Sequence, residues 1–396
     1  MNTRTLTLVL AGLAMLGPFA TDTYLPSFVA LGEHFSVGPV QVQQTLSIYL
    51  FGYSLMTLFY GTLSDSFGRR PVILASLLIF ITGSIGATLA PSFTWLLVFR
   101  AMQGMSAGAG MVIGQAIVRD RLSGAAAQRM IAQIMMVFGI APAVAPVVGG
   151  LLQVAFGWRA VFGFMTAIAL LLLLACQRYL PESLPVAERQ PLHLGTIAGN
   201  YWKAIRHPQF LLRALAIGCC FGGFGLYIAS AASFVMQVLH LPETAFAWLF
   251  LPLIGGIVIG SAINAKVAHH ISTAVMIGRG FMVMALACVL NLIYTSLFVA
   301  AVPWAVLPIM LYAFGMALAL PGMVMKTLDL FPKVRGLAAS LQNFVQMLIF
   351  AIVSGFVAPL VFDSAFKLAA GLAVGLVASV IFWRLAAQAQ PVARLA

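Results

Sequence analysis

Charge is what this chain has least of. Nine acidic and twenty-one basic residues in 396 positions leave 8% of the side chains charged, where a soluble domain carries about 25%. So few ionised groups cannot clothe a water-soluble fold, which excludes a soluble enzyme. Cysteine is scarce too. Cys176, Cys219, Cys220 and Cys288 all lie in apolar stretches, with no C-x-x-C and no histidine spacing suited to zinc, so they read as small buried hydrophobes and no metal site is expected. No Walker-type glycine-lysine loop occurs, so nucleotide hydrolysis is not the energy source. The net charge of +12 resembles a nucleic-acid signature, but no compact basic stripe with interleaved aromatics supports one. No loop is long enough to hold a soluble partner domain, which argues against a membrane sensor or scaffold.

Apolar side chains, by contrast, make up 62% of the sequence, and a mean hydropathy of +1.05 extends along its whole length. The bilayer is the solvent for such a chain. The first twenty-odd residues imitate a secretory signal peptide. The apolar run nevertheless continues through Pro18 and Phe19 without a small-residue cleavage site, so it reads as the first membrane helix. Spans able to cross about 30 Å of hydrocarbon fall near 5–25, 43–63, 71–90, 93–117, 131–154 and 158–180. A second set falls near 210–236, 244–266, 273–298, 303–326, 336–361 and 364–386. The longest polar stretch, 181–209, contains four prolines and reads as a cytoplasmic linker between an N-terminal bundle (1–180) and a C-terminal bundle (210–396). The fold class is therefore all-α, with twelve transmembrane helices in two six-helix bundles.

Eighteen lysines and arginines, from Arg4 to Arg394, fall on one side of this arrangement. Only Arg159 and Lys367 fall on the other. By the positive-inside rule both termini are cytoplasmic.

Ionisable groups inside the hydrocarbon region are expensive and default to functional candidates. Eight of the nine acids sit in loops or at helix ends, and Asp22 alone lies deep in the first helix; Arg100 is the one basic residue clearly inside a span. Withdrawal from water opposes ionisation of a carboxyl while a nearby guanidinium favours it. A group so balanced can take a proton from one side of the membrane and release it to the other. The alternatives are that Asp22 caps a helix broken before Pro26 and faces water, and that Arg100 only packs helices together. Arginine keeps its proton in proteins, so it cannot itself be the carrier.

Between the second and third spans, GTLSDSFGRRP holds Gly61, Asp65, Gly68, Arg69 and Arg70. These charges can latch helix ends into a gate on the cytoplasmic face, besides setting orientation. In the fifth span, Gly139, Pro142, Pro146, Gly149 and Gly150 predict a bend or a tight helix crossing. Gly104 to Gly108 fit the G-x-S-x-G nucleophile pattern around Ser106. A nucleophile elbow needs a strand before it, and here the run is a continuous apolar helix. Phe19, Tyr49, Tyr53, Met135, Phe138, Phe221 and Tyr227, with Gln115, Asn343 and Gln346 as polar anchors, are candidates for an adaptable substrate cavity. Core or lipid-facing packing is the alternative for each.

The loop at 61–70 resembles the signature of the major facilitator superfamily. TDTYLPS (21–27), VFRAMQG (98–104) and APAVAPVVGG (141–150) resemble its Bcr/CflA drug resistance branch. That resemblance implies two six-helix bundles around a central cavity, with inward proton flow driving export of varied drugs. It makes Asp22 the proton and cation site with Arg100 the motif arginine of the fourth span. Asp65, Arg69 and Arg70 become the cytoplasmic gate, and 139–150 the antiporter motif. Some related exporters carry a second acid earlier in the first helix, where this chain has apolar Ala11 to Leu16, and the second half has no charged equivalent of Asp22. Coupling is then expected to rest on the first half through one carboxylate. The resemblance implies a monomer in a bacterial inner membrane, with small drugs, protons and lipid as partners and no cofactor, metal, nucleic acid or enzymatic activity. An exporter or proton symporter of a sugar, dipeptide or amino acid is the alternative.

Overall fold

A chain surrounded by hydrocarbon must satisfy its backbone hydrogen bonds within each segment, and helices do this without help from neighbours. The computed structural model describes residues 3–191, 194–267, 270–332 and 334–389, and among these there is no strand. Lys333 and Arg394, two of the basic residues counted above, lie outside the described residues.

Two compact units emerge, Met1–Leu194 and Gly195–Ala396. The first contains α1 (Thr3–Asp22), a 3-10 turn (Leu25–Ser27), α2 (Phe28–Phe35), α3 (Pro39–Thr57), α4 (Tyr60–Phe67), α5 (Arg69–Thr88), α6 (Phe93–Ala107), α7 (Ala109–Arg121), α8 (Gly124–Phe156) and α9 (Trp158–Tyr179). After α10 (Leu194–Ile205), the second contains α11 (Pro208–Ala229), α12 (Ala231–Ser233), α13 (Ala247–Val267), α14 (Thr273–Leu297), α15 (Leu307–Leu328), α16 (Arg335–Ile352), α17 (Ala358–Val361) and α18 (Ala365–Gln388). Among the described residues, eleven helices or helix runs are long and apolar enough to span a membrane. Counting α3 and α4, bent by 51°, as one broken span makes twelve.

Two readings of the sequence are refined. The first span does not run unbroken from 5 to 25: α1 stops at Asp22, and the chain resumes through the 3-10 turn into α2. Pro26 lacks a backbone N–H and disfavours a helical Leu25, so the break belongs there. The stretch 181–209 is not merely a connection either, since it carries a 3-10 turn at Val186–Glu188 and the helix α10.

Helix starts are fastened by side chains. Ser92 Oγ accepts from Trp95 N at 3.5 Å and Ser272 Oγ from Val275 N at 3.4 Å. His207 Nδ1 accepts from Phe210 N at 3.4 Å, serving the otherwise unpaired donors of a first turn. Leu171 and Leu174 on α9, and Val154 and Phe156 on α8, are exposed. An apolar exterior of this kind suits lipid rather than water.

Each unit uses the same packing scheme. In the first, α1 packs on α8, α3 on α6, and α5 on both α6 and α9; in the second, α11 packs on α16, α13 on α15, and α14 on both α15 and α18. The repeat, faint in the residues, is plain in which helices touch.

Candidate functional site

Asp22 is the last residue of α1 and is 3% exposed. It is the one buried acid among the described residues. The backbone around it turns sharply: Thr23 N still reaches Phe19 O at 3.1 Å, and Ser27 N reaches Tyr24 O at 2.9 Å. A helix end placed mid-span leaves a polar backbone inside the bundle, tolerated where surrounding protein supplies partners.

Arg100, on α6, supplies them. Its Nη1 donates to Ala20 O at 3.1 Å and to Gln103 Oε1 at 2.8 Å, and its Nε donates to Thr45 O at 3.3 Å. Gln103 Nε2 in turn donates to Ser84 Oγ at 2.8 Å. The guanidinium lies between the rings of Tyr24 and Tyr49, at 4.1 and 4.4 Å from their centroids. Tyr24 Oη and Thr45 Oγ1 share a hydrogen bond of 3.2 Å, and Tyr49 Oη donates to Gly17 O at 3.1 Å. One arginine thus ties the end of α1 to α3, α5 and α6. Ring faces and carbonyls compensate a charge that is 1% exposed. Asp22 and Arg100 form no ion pair: the arginine grips the carbonyl two residues before the acid and leaves the carboxyl without a fixed counter-charge.

The break rests on α8. A Cβ on Gly149 would lie 1.7 Å from Thr23 O, so only glycine lets the two backbones meet. Pro142 and Pro146 do not break α8, which runs for 33 residues, and the predicted tight crossing is at Gly149. Pro146 and Gly150 are buried with it. Gly139 has nothing within 4 Å of an added Cβ.

The predicted gate residues converge with partners that sequence reasoning missed. Arg69 is bonded to Asp65 through Nη1, to Ser64 Oγ at 2.7 Å and to Asp120 Oδ2 at 3.1 Å. Glu182 caps α5, accepting from Arg69 N at 3.0 Å and from Arg70 N at 3.2 Å. This carboxylate sits where a helix N-terminus attracts negative charge. Gly68, at φ +100°, makes the approach possible, since a Cβ there would lie 2.6 Å from Glu182 Oε2. Arg70 Nη2 donates to Gln177 O at 2.8 Å, Ser183 Oγ to Asp120 Oδ2 at 2.8 Å, and Gln190 N to Asp65 O at 3.1 Å. Gly61 sits in open space at the start of this motif. The signal for Asp120 and Glu182 was the scarcity of acids itself: each one left at a helix end is a candidate partner for an arginine.

The candidate cavity residues are dispersed. Phe19 is buried a turn before the break, and Tyr49 belongs to the Arg100 sandwich with Tyr53 at 6.4 Å from it. Gln115 is half-buried beside Met111, Met135 is exposed and Phe138 half-buried. In the second unit Tyr227 accepts from Asn291 Nδ2 at 2.9 Å and is buried, while Phe221 meets Phe350 edge-on at 5.6 Å. Gln346 accepts from Gln342 Nε2 at 3.0 Å, and Asn343 is exposed.

Comparison with known proteins adds an independent line. The family model described as Major Facilitator Superfamily matches residues 10–354. A bicyclomycin resistance protein homolog of Haemophilus influenzae is 27% identical over 358 residues, 90% of each chain. Multidrug resistance protein D of Escherichia coli is 28% identical over 342 residues, 86% of this chain and 85% of its own. Among solved structures, the xylose transporter XylE from E. coli superposes with a TM-score of 0.70 at 15% identity, covering 96% of this chain and 97% of its own.

Proposed function

Because the chain belongs to the major facilitator superfamily, and is therefore a multi-pass membrane transporter rather than an enzyme, we propose that it exports small amphipathic drugs from a bacterial cytoplasm in exchange for protons. The observation that carries the reading is Asp22, a buried carboxyl at a break in the first span with no cation paired to it among the described residues. The names of the relatives, resistance to bicyclomycin and to multiple drugs, support the substrate class.

Substrate enters from the cytoplasm while Asp22 is ionised, and leaves when a proton from the outer side neutralises it. Competition for one carboxyl then couples the two flows, and access alternates from one side to the other. Arg100 holds the first span at its break, and the Asp65, Arg69 and Asp120 contacts, with Arg70 beside them, form the cytoplasmic latch. Arg69 is buried while Asp65 and Asp120 stay open to solvent, and solvent screening on the acid side limits what each pair adds, as a latch that must reopen requires. Charge bias supports a chain with both termini cytoplasmic, and we take the transporting unit to be a monomer.

The test is purified protein in liposomes with an imposed proton gradient and ethidium as probe. Wild type should concentrate ethidium against its gradient. Asp22→Asn should lose uphill transport while keeping downhill exchange; continued accumulation by that variant would sink the reading.

A further inference from the structure

Hydroxyls inside these helices normally bond back to a carbonyl three or four residues earlier. Thr45, Ser54, Ser76, Ser84, Ser106 and Thr166 all do so. Thr23 and Ser27 do not: both are 0% exposed, and neither Oγ has a partner. Of the eight buried side-chain atoms without a partner among the described residues, two more are Arg100 Nη2 and Gln153 Oε1. Two of these unpaired atoms thus belong to the break itself, and two more belong to residues of α6 and α8, the helices whose Arg100 and Gly149 meet it.

Their placement follows from the packing. Gly149 brings α8 against the backbone of Thr23, and α8 also packs on the Leu25–Ser27 turn. The first and fifth spans run in the same direction. One turn beyond their contact, the first carries Ser27 and the fifth carries Gln153. Arg100 closes the other flank, reaching Ala20 O with Tyr24 stacked upon it. The set comprises two hydroxyls that can each give and accept, one N–H donor and one amide acceptor. That is the complement of water, which needs two to four polar partners inside a protein.

We infer that the break after Asp22 holds a short chain of ordered waters forming its proton route toward the side where α2 runs, with Thr23 and Ser27 as relay groups and Gln153 and Arg100 as positioning residues. The inference rests on Asp22 being the carrier and names how the proton arrives. A proton delivered as hydronium moves by making one O–H bond and breaking the next at each water or hydroxyl. At the end one proton has left bulk water, one has joined a carboxylate oxygen of Asp22, and every relay group is as it began. Gln153 and Arg100 keep their protons throughout and orient the waters. The second unit offers a control, because Ser230 is likewise buried and unpaired between α11 and α12, where the sequence has no acid.

The experiment is a stopped-flow pH jump on purified protein in detergent, read by a pH indicator with no substrate present. Thr23→Val and Ser27→Ala should slow proton uptake by about tenfold or more, Thr23→Ser should restore the wild-type rate, and Ser230→Ala should leave it unchanged. Asp22→Asn should abolish the uptake amplitude; if the amplitude persists, the carrier reading itself falls. If Asp22→Asn abolishes uptake but Thr23→Val and Ser27→Ala proceed at the wild-type rate, the water route falls alone. Radiolytic hydroxyl labelling of the unaltered protein tests the same point without a variant. Hydroxyl radicals formed from bound water by the radiation should oxidise the buried rings of Tyr24 and Phe28 well above that of Phe80, and equal labelling of all three would overturn the inference.

Discussion

At the scale of residues, Arg100 shows how one buried charge organises a site. Its planar fork donates to three acceptors and packs over two rings, a geometry that a tetrahedral ammonium cannot copy. Arg100→Lys is expected to lower the thermal unfolding midpoint, with about 1.5–3 kcal/mol lost for each charge-assisted bond not replaced, and to abolish uphill ethidium uptake. A variant with an unchanged midpoint would show that the network does not hold the break. Arg100 could be picked out in the sequence because a charge in an apolar run is conspicuous. Gln103, Ser84 and Tyr24 could not, since an amide, a hydroxyl or a ring in such a run gains meaning only from what faces it.

Elements reveal a division of labour within the run of glycines and prolines in α8. Gly149 meets the backbone of Thr23, whereas Gly139 faces open space. Adding the same methyl group should therefore have opposite effects. Gly149→Ala is expected to destabilise by about 1–3 kcal/mol through overpacking and to impair transport by displacing the break. Gly139→Ala should be neutral or stabilising by up to about 1 kcal/mol, the helix preference of alanine over glycine. Thermal midpoints of the two variants side by side decide it, and a drop in both would assign the motif to general helix packing. The run marked a close crossing in the sequence, but not which glycine makes it, because all of them look alike until a neighbouring helix is in place.

On the scale of the whole molecule, the two units share one packing scheme while differing in polar content. The first carries the buried acid, the two buried arginines Arg69 and Arg100 and the clustered acid–arginine contacts at 65–190, and the segment after α9 is bound into that cluster by Glu182, Ser183 and Gln190. Glu182→Ala should release this segment, with faster proteolysis within 182–190 and a loss of about 0.5–2 kcal/mol from the missing helix cap. Unaltered proteolysis would show that the cap does not hold it. The stretch looked like a plain linker because its prolines and charges are those of any surface loop, and its contacts to α5 and α7 span more than sixty residues of sequence.

What the sequence determined by itself is what depends on local composition: twelve apolar spans in two sets, the bias of positive charge to one side, and the isolation of Asp22 and Arg100 among hydrocarbon side chains. These follow from transfer free energies, which act on each segment regardless of its neighbours. Only the tertiary structure decided that the arginine grips a carbonyl rather than the acid, that Glu182 crowns α5, and that Gly149 rather than Gly139 meets the first span. Each of those depends on angstrom-scale distances between helices far apart in the chain, and packing, not composition, sets such distances.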